Sequence, residues 1–85
     1  MVEFTYVIKD EVGIHARPAT LMVKTIKSLS STVTVSSGSK TCDGTKLMQI
    51  MALGIKQGDT ARFTCEGENE AADAAALKDF LEKNL

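Results

Sequence analysis

The sequence of 85 residues has the length of one small domain, which we expect over residues 1–85. Its composition is ordinary for a globular protein, and ten basic residues against eleven acidic ones give a formal net charge of −1. A nearly neutral chain offers no electrostatic reason to bind nucleic acid. No apolar run approaches the roughly 20 residues of a membrane span. We therefore expect a cytoplasmic protein that neither binds nucleic acid nor inserts into a membrane.

The first half of the chain predicts three strands and one helix. Residues 2–8 alternate between apolar and polar side chains, which is typical of a half-buried strand. Residues 18–27 place apolar side chains at the spacing of one helical face. A strand over residues 32–36, a Ser-Gly-Ser turn and a short strand over residues 40–43 follow. The apolar stripe of the helix comprises Ala19, Met22, Val23 and Ile26.

The second half predicts a helix, a strand and a final helix. Residues 45–53 contain strong helix formers and are followed by Gly54, a typical residue just beyond a helix end. Residues 61–66 alternate as a strand, and Asn69 is placed to cap the last helix. The element order β-α-β-β-α-β-α predicts an α+β fold in which a four-stranded antiparallel sheet is covered on one face by three helices. The buried stripe of the last helix is expected to be Ala74, Leu77 and Leu81, with Phe80 beside it.

The only histidine of the chain precedes the first helix, in the segment Gly-Ile-His-Ala-Arg-Pro-Ala. Proline suits a first helical turn, so Pro18 places His15 at or just before the cap. The free N–H groups and positive dipole of a helix start attract anions, and Arg17 adds a cation. The amides of Ala16, Arg17 and Ala19 are therefore candidates for binding a phosphoryl group, with His15 as its acceptor. From these residues alone, an exposed polar histidine without such a role is the more common alternative.

Two cysteines complete the inventory of reactive side chains. Cys42 and Cys65 are far apart, fall in predicted strands and match neither a redox pair nor a zinc spacing. We expect both to be small buried apolar residues. We expect no metal and no cofactor.

Three segments together resemble one protein family. They are Gly-Ile-His-Ala-Arg-Pro-Ala-Thr, then Leu-Met-Gln-Ile-Met-Ala-Leu-Gly-Ile from Leu47, and Glu-Gly-Glu from Glu66. With these segments matched at their spacing along the sequence, the whole chain resembles HPr, the histidine-containing phosphocarrier of the bacterial phosphoenolpyruvate-dependent sugar phosphotransferase system. The resemblance implies an open-faced β-sandwich, which agrees with the element order.

The resemblance also implies a function. The histidine matched by His15 accepts a phosphoryl group on Nδ1 from phospho-Enzyme I and passes it to the A domain of a sugar-specific Enzyme II. The arginine matched by Arg17 helps to hold the phosphoryl oxygens. Such a protein is a stoichiometric carrier that serves sugar uptake, not an enzyme, and we expect a monomer. A regulatory paralogue that binds other proteins, or a nitrogen-type branch of the same system, is the alternative.

The resemblance further implies a docking surface for both partners on the first two helices. Flexible methionines suit a surface that meets several partners, and a basic rim suits acidic ones. For Leu47 and Met51, packing in the core is an equal alternative. The residues expected on the docking surface are Thr20, Leu21, Lys24, Lys27, Leu47, Met48 and Met51.

One position departs from the family pattern. HPr proteins of low-GC Gram-positive bacteria carry a regulatory serine at the start of the second helix, where this chain has Lys46. Lysine cannot accept that phosphate, so we expect no regulatory phosphorylation there. Thr45 is expected to take over the helix cap and is a weak substitute phosphorylation site.

Overall fold

The secondary-structure elements follow one another in the predicted order. A computed structural model describes residues 1–85 of the chain. It contains β1 (Val2–Val7), α1 (Ala16–Ser28), β2 (Thr32–Ser37), β3 (Lys40–Asp43), α2 (Leu47–Ala52), β4 (Thr60–Glu66) and α3 (Glu70–Asn84). The predicted β-α-β-β-α-β-α order is confirmed.

The four strands form one antiparallel sheet in the order β1-β4-β2-β3. The two strands that lie inside the sheet, β2 and β4, are paired so that Val33 lies opposite Cys65. Strand β1 lies on the other side of β4, where the rings of Phe4 and Phe63 are directly opposite and stack with centroids 5.3 Å apart. Because side chains alternate along each strand, one face of the sheet is apolar and the other is rich in threonine.

The three helices cover the apolar face and leave the polar face open, as predicted. The predicted stripe of α1 is buried, and in α3 the side chains of Ala74, Leu77 and Leu81 are buried too. Met22 and Ile50 are fully buried, so all three helices contribute to one core with the sheet. None of the helices combines the length and the apolar character that crossing a membrane requires.

Helix α2 is shorter than predicted, because the first two residues of the predicted helix, Thr45 and Lys46, lie before it. We expected the side chain of Thr45 to cap the helix, but it does not. Instead, the N–H and the hydroxyl of Thr45 both donate to Oδ1 of Asp43, at 2.8 and 2.7 Å. Lys46 therefore occupies the N-cap position, without a capping side-chain hydrogen bond. The helix ends as predicted, with Gly54 directly after the C-cap at φ +66°.

A carboxylate of α3 fastens this helix to the loop between α1 and β2. Oδ2 of Asp73 accepts hydrogen bonds from the Ser31 hydroxyl at 2.6 Å, the Ser31 N–H at 2.9 Å and the Ser30 hydroxyl at 3.2 Å. These hydrogen bonds, that of the Ser31 side chain first, hold the pKa of the Asp73 carboxyl below its ordinary value. The predicted cap, Asn69, stands at the N-cap but its side chain makes no capping hydrogen bond; its Nδ2 donates to the Ser30 hydroxyl at 3.2 Å.

The lowered pKa makes the contribution of Asp73 dependent on pH. A carboxyl with a lower pKa in the folded state stabilises the fold above its unfolded pKa, about 4, and loses that contribution as the pH falls through the folded pKa. We expect Asp73→Asn to lower the free energy of unfolding at pH 7, and we expect its difference from the parent to shrink below about pH 4. Urea unfolding at several pH values measures both effects.

Asp79 offers a matched control on the same helix. Its carboxylate makes an exposed ion pair with Lys83 at 2.9 Å, a kind of contact that contributes little to stability. Asp79→Asn should therefore change the unfolding free energy less than Asp73→Asn at pH 7. An equal loss in the two variants at pH 7 would show that the Asp73 hydrogen bonds are not the cause.

Candidate functional site

His15 is the N-cap residue of α1, as its position before Pro18 predicted. Its backbone is extended, with φ −117° and ψ 177°, and its side chain makes no capping hydrogen bond. The carbonyl oxygen of His15 accepts the first helical bond, from the N–H of Ala19 at 2.9 Å. The imidazole is 37% exposed. It is therefore fixed through its backbone while its ring remains accessible to a partner.

The helix start next to His15 presents two unpaired donors. The N–H groups of Ala16 and Arg17 make no hydrogen bond within the protein, and Pro18 has no N–H. The prediction for Ala19 is corrected here, because its N–H is already used in the bond to His15. No acidic residue in the first turn offsets the positive end of the helix dipole. The amides of Ala16 and Arg17 are thus free to donate to an anion.

A shallow depression of about 170 Å³ surrounds the imidazole. It brings His15 together with Arg17, the second predicted site residue, and it is open to solvent on one side. A guanidinium can pair with two oxygens of a phosphoryl group at once. The remaining lining residues are Asp10, Pro18, Leu21 and Asn84. An imidazole and a guanidinium therefore meet in one small opening at the first turn of α1.

Asp10 is a site residue that the sequence analysis missed. Its Oδ1 lies 3.7 Å from Nε2 of His15 and also accepts a hydrogen bond from the N–H of Val12 at 2.9 Å. The second contact is an Asx turn, in which an aspartate bonds the backbone two residues later. An aspartate shortly before the Gly13 turn was the available signal, but nothing in the sequence placed it beside the imidazole.

The loop that carries His15 is held by two distant parts of the chain. The N–H groups of Lys9 and Asp10 donate to Leu85 oxygen at 2.7 and 2.9 Å, and the N–H of Ile14 donates to the Ile55 carbonyl at 3.1 Å. Gly13 adopts φ +78°, and a Cβ there would lie 2.5 Å from that same Ile55 oxygen. Only glycine allows so close a backbone approach. The end of α3 and the segment after α2 therefore position the site.

Comparison with known proteins identifies the family. Residues 2–83 match the family model described as "PTS HPr component phosphorylation site". The chain belongs to the HPr family. Proteins of this family are phosphocarriers of the phosphotransferase system rather than enzymes, which agrees with the expectation from the sequence.

Individual relatives agree with this assignment. The chain is 39% identical over 83 residues to the multiphosphoryl transfer protein of Salmonella typhimurium, covering 94% of this chain and 22% of that protein. It thus spans about a fifth of that relative. The structure of HPr-C-His from Thermoanaerobacter tengcongensis is similar with a TM-score of 0.92 and 38% identity, covering 99% of this chain and 94% of that one. A structure of an HPr dimer from the same organism has a TM-score of 0.76 and 38% identity, covering 98% and 95%. The predicted open-faced fold is confirmed.

The residues predicted for docking lie on two HPr helices that pack against each other, α1 and α2. Leu21 and Met48 are exposed large apolar side chains, at 44% and 78%. Leu47 and Met51 are half-buried and pack against the core. Each side chain therefore lies partly in the core and partly on the surface. Thr20, Lys24 and Lys27 are exposed on α1, although the hydroxyl of Thr20 donates to the carbonyl of Ala16 at 2.7 Å.

Hydrogen bonding at Thr45 also bears on its role as a substitute phosphorylation site. The Thr45 hydroxyl donates to Asp43, and the two hydrogen bonds from Thr45 hold the pKa of the Asp43 carboxyl below its ordinary value. A phosphate on Thr45 would lose this bond and stand next to a carboxylate. Both effects disfavour modification at this position.

The two cysteines are buried in the sheet, as expected. Cys65 is fully buried and Cys42 is nearly so, and they form no disulfide. Burial raises the pKa of both thiols, which keeps them protonated and poorly nucleophilic. They take no part in the site.

The close approach at Gly13 predicts a large effect of a single methyl group. We expect Gly13→Ala to lower the free energy of unfolding by about 2–4 kcal/mol, because the Cβ meets backbone atoms of two residues in addition to the strain of positive φ. The amide signals of residues 14–17 should also move in the ¹H–¹⁵N spectrum. Urea unfolding and that spectrum measure the two effects.

Gly38 separates the two causes. It has a similar φ of +61°, but a Cβ there would have nothing within 4 Å. Gly38→Ala should therefore cost only the conformational strain, about 1 kcal/mol, and leave the His15 region unchanged. Equal destabilisation by the two variants would contradict a packing role for Gly13.

Proposed function

We propose that this HPr domain accepts a phosphoryl group on Nδ1 of His15 from phospho-Enzyme I and passes it to the A domain of a sugar-specific Enzyme II. The observation that carries the proposal is the accessible imidazole at the N-cap of α1, next to Arg17 and the free amides of Ala16 and Arg17. In this role the protein is a carrier in phosphoenolpyruvate-dependent sugar uptake.

The chemistry of a carrier fits a histidine better than a hydroxyl. An imidazole nitrogen forms a labile bond to phosphorus, whereas a serine phosphate is much harder to transfer onward. A partner then places its own nitrogen in line, and catalysis is mostly positioning and charge stabilisation. Arg17 and the two free amides can stabilise the phosphoryl oxygens without enclosing them, because the depression is open to solvent.

The docking surface supports binding to partners that must come and go. Its exposed apolar side chains, Leu21 and Met48, lie on helices whose other exposed residues include Lys24 and Lys27. Apolar contacts with a basic rim favour acidic partner surfaces at moderate affinity. We propose that Enzyme I and the A domains share this surface and that the carrier acts as a monomer.

The regulatory branch is proposed to be absent. Lys46 stands at the N-cap of α2, where a serine would be needed, and Thr45 is bonded to Asp43. A permanent positive charge at this position is the opposite of a phosphoserine. The histidine relay does not depend on this residue.

Phosphorylation of purified protein by phosphoenolpyruvate and Enzyme I tests the proposal. The parent should acquire one acid-labile phosphate, and His15→Ala should acquire none, because the chain has no other histidine. Mass spectrometry before and after acid treatment measures the phosphate. Phosphate on His15→Ala, or acid-stable phosphate on the parent, would contradict the proposed function.

The same assay tests the docking surface with Met48→Glu. A buried negative charge in the contact should slow phosphorylation by Enzyme I about tenfold, as loss of a central apolar contact does, while His15 remains intact. Val7 is the control, because it is equally apolar and 50% exposed but lies on β1. If Val7→Glu slows the reaction as much as Met48→Glu, the contact does not involve α2.

A further inference from the structure

The carboxylate nearest to the only histidine is held too firmly to be incidental. Asp10 is fixed by its own N–H, which donates to Leu85, and by its carbonyl, which accepts from Gly13 at 2.9 Å. Its Oδ1 is fixed by the N–H of Val12 at 2.9 Å. The side chain is only 30% exposed, so solvent screens its charge incompletely.

Asp10 faces one particular nitrogen of the ring. The 3.7 Å between Oδ1 and Nε2 is beyond hydrogen-bond length, but it is short enough for a favourable charge interaction when Nε2 carries a proton. The interaction favours the tautomer with hydrogen on Nε2, which leaves the lone pair on Nδ1. Hydrogen bonds at a site in the resting state are often long and shorten as charge develops.

We propose that Asp10 is a positioning residue of the phosphoryl relay, which keeps the proton on Nε2 and stabilises the positive ring that forms when Nδ1 is phosphorylated. This inference rests on the proposed function. During transfer, the Nδ1 lone pair attacks phosphorus while the bond from phosphorus to the donor nitrogen breaks and its electron pair stays on the donor. The Nε2 proton remains on the ring, which then carries a positive charge next to Asp10.

Other charged groups at the site act differently. Arg17 is the other charged side chain that lines the depression, and its positive charge, like the start of α1, opposes a positive ring. The only residue of α3 that lines the depression is Asn84, which is uncharged. Asp10 is therefore the one carboxylate in the depression that can compensate a positive imidazole.

Asp10→Asn separates charge from structure. The asparagine oxygen can still accept the N–H of Val12, so the Asx turn remains, but the negative charge is lost. Glu11→Gln is the matched control, because it removes one charge from an exposed neighbour in the same loop that forms no ion pair with the ring. Both variants are single substitutions in the same 85-residue chain.

Nitrogen NMR of the single labelled histidine gives the decisive readout. In the parent, the ring nitrogen shifts should report the Nε2–H tautomer. In Asp10→Asn, these shifts should move towards a mixture of the two neutral tautomers, because the charge that favours hydrogen on Nε2 is lost. Glu11→Gln should remain close to the parent. No shift in Asp10→Asn, or an equal shift in Glu11→Gln, would overturn the proposal.

The rate of phosphorylation by Enzyme I adds the functional readout. Asp10→Asn should slow this step, by about fivefold at most, with a changed pH profile, and Glu11→Gln should not. A normal rate and pH profile in Asp10→Asn would overturn the role in the relay even if the NMR shift were found. If the parent itself takes up no phosphate, the proposed function fails, while the NMR comparison still decides whether Asp10 controls the ring.

Discussion

The proposed phosphoryl site depends on the unpaired N–H groups at the start of α1. Every helix begins with donors that its own backbone cannot satisfy, and here those of Ala16 and Arg17 stay free because no side chain caps them. Their direction is fixed by the buried stripe that packs α1 onto the sheet. The packing of the core therefore aims a small positive field at the place where His15 would carry a phosphoryl group.

Two opposite requirements meet at this point. A nucleophilic imidazole must keep a lone pair, which the helix start and Arg17 favour because they oppose further positive charge. A phosphorylated imidazole gains from a nearby anion, and the Asp10 carboxylate is 3.7 Å from Nε2. The depression is open, so under the proposed function these groups would stabilise a phosphoryl group without trapping it. A site of this kind suits a carrier, which has to release its cargo as readily as it accepts it.

The sequence predicted the elements well because their causes are local. The alternation of β1, the stripe of α1 and the position of His15 before Pro18 follow from neighbouring residues. Contacts between distant residues could not be predicted in this way. Asp73 bonds Ser31, 42 residues away, and Gly13 approaches Ile55 across the fold. Even locally, hydrogen bonds compete: Ala19 was a candidate anion donor until the structure paired it with His15.

The most direct test of the central claim compares amide signals before and after phosphorylation of His15. If the phosphoryl oxygens bind the helix start, the ¹H–¹⁵N signals of Ala16 and Arg17 should move downfield in the phosphorylated protein. The signal of Ala19 should change little, because its N–H remains bonded to the carbonyl of His15. The opposite pattern, with Ala16 and Arg17 unmoved while Ala19 shifts, would contradict the account.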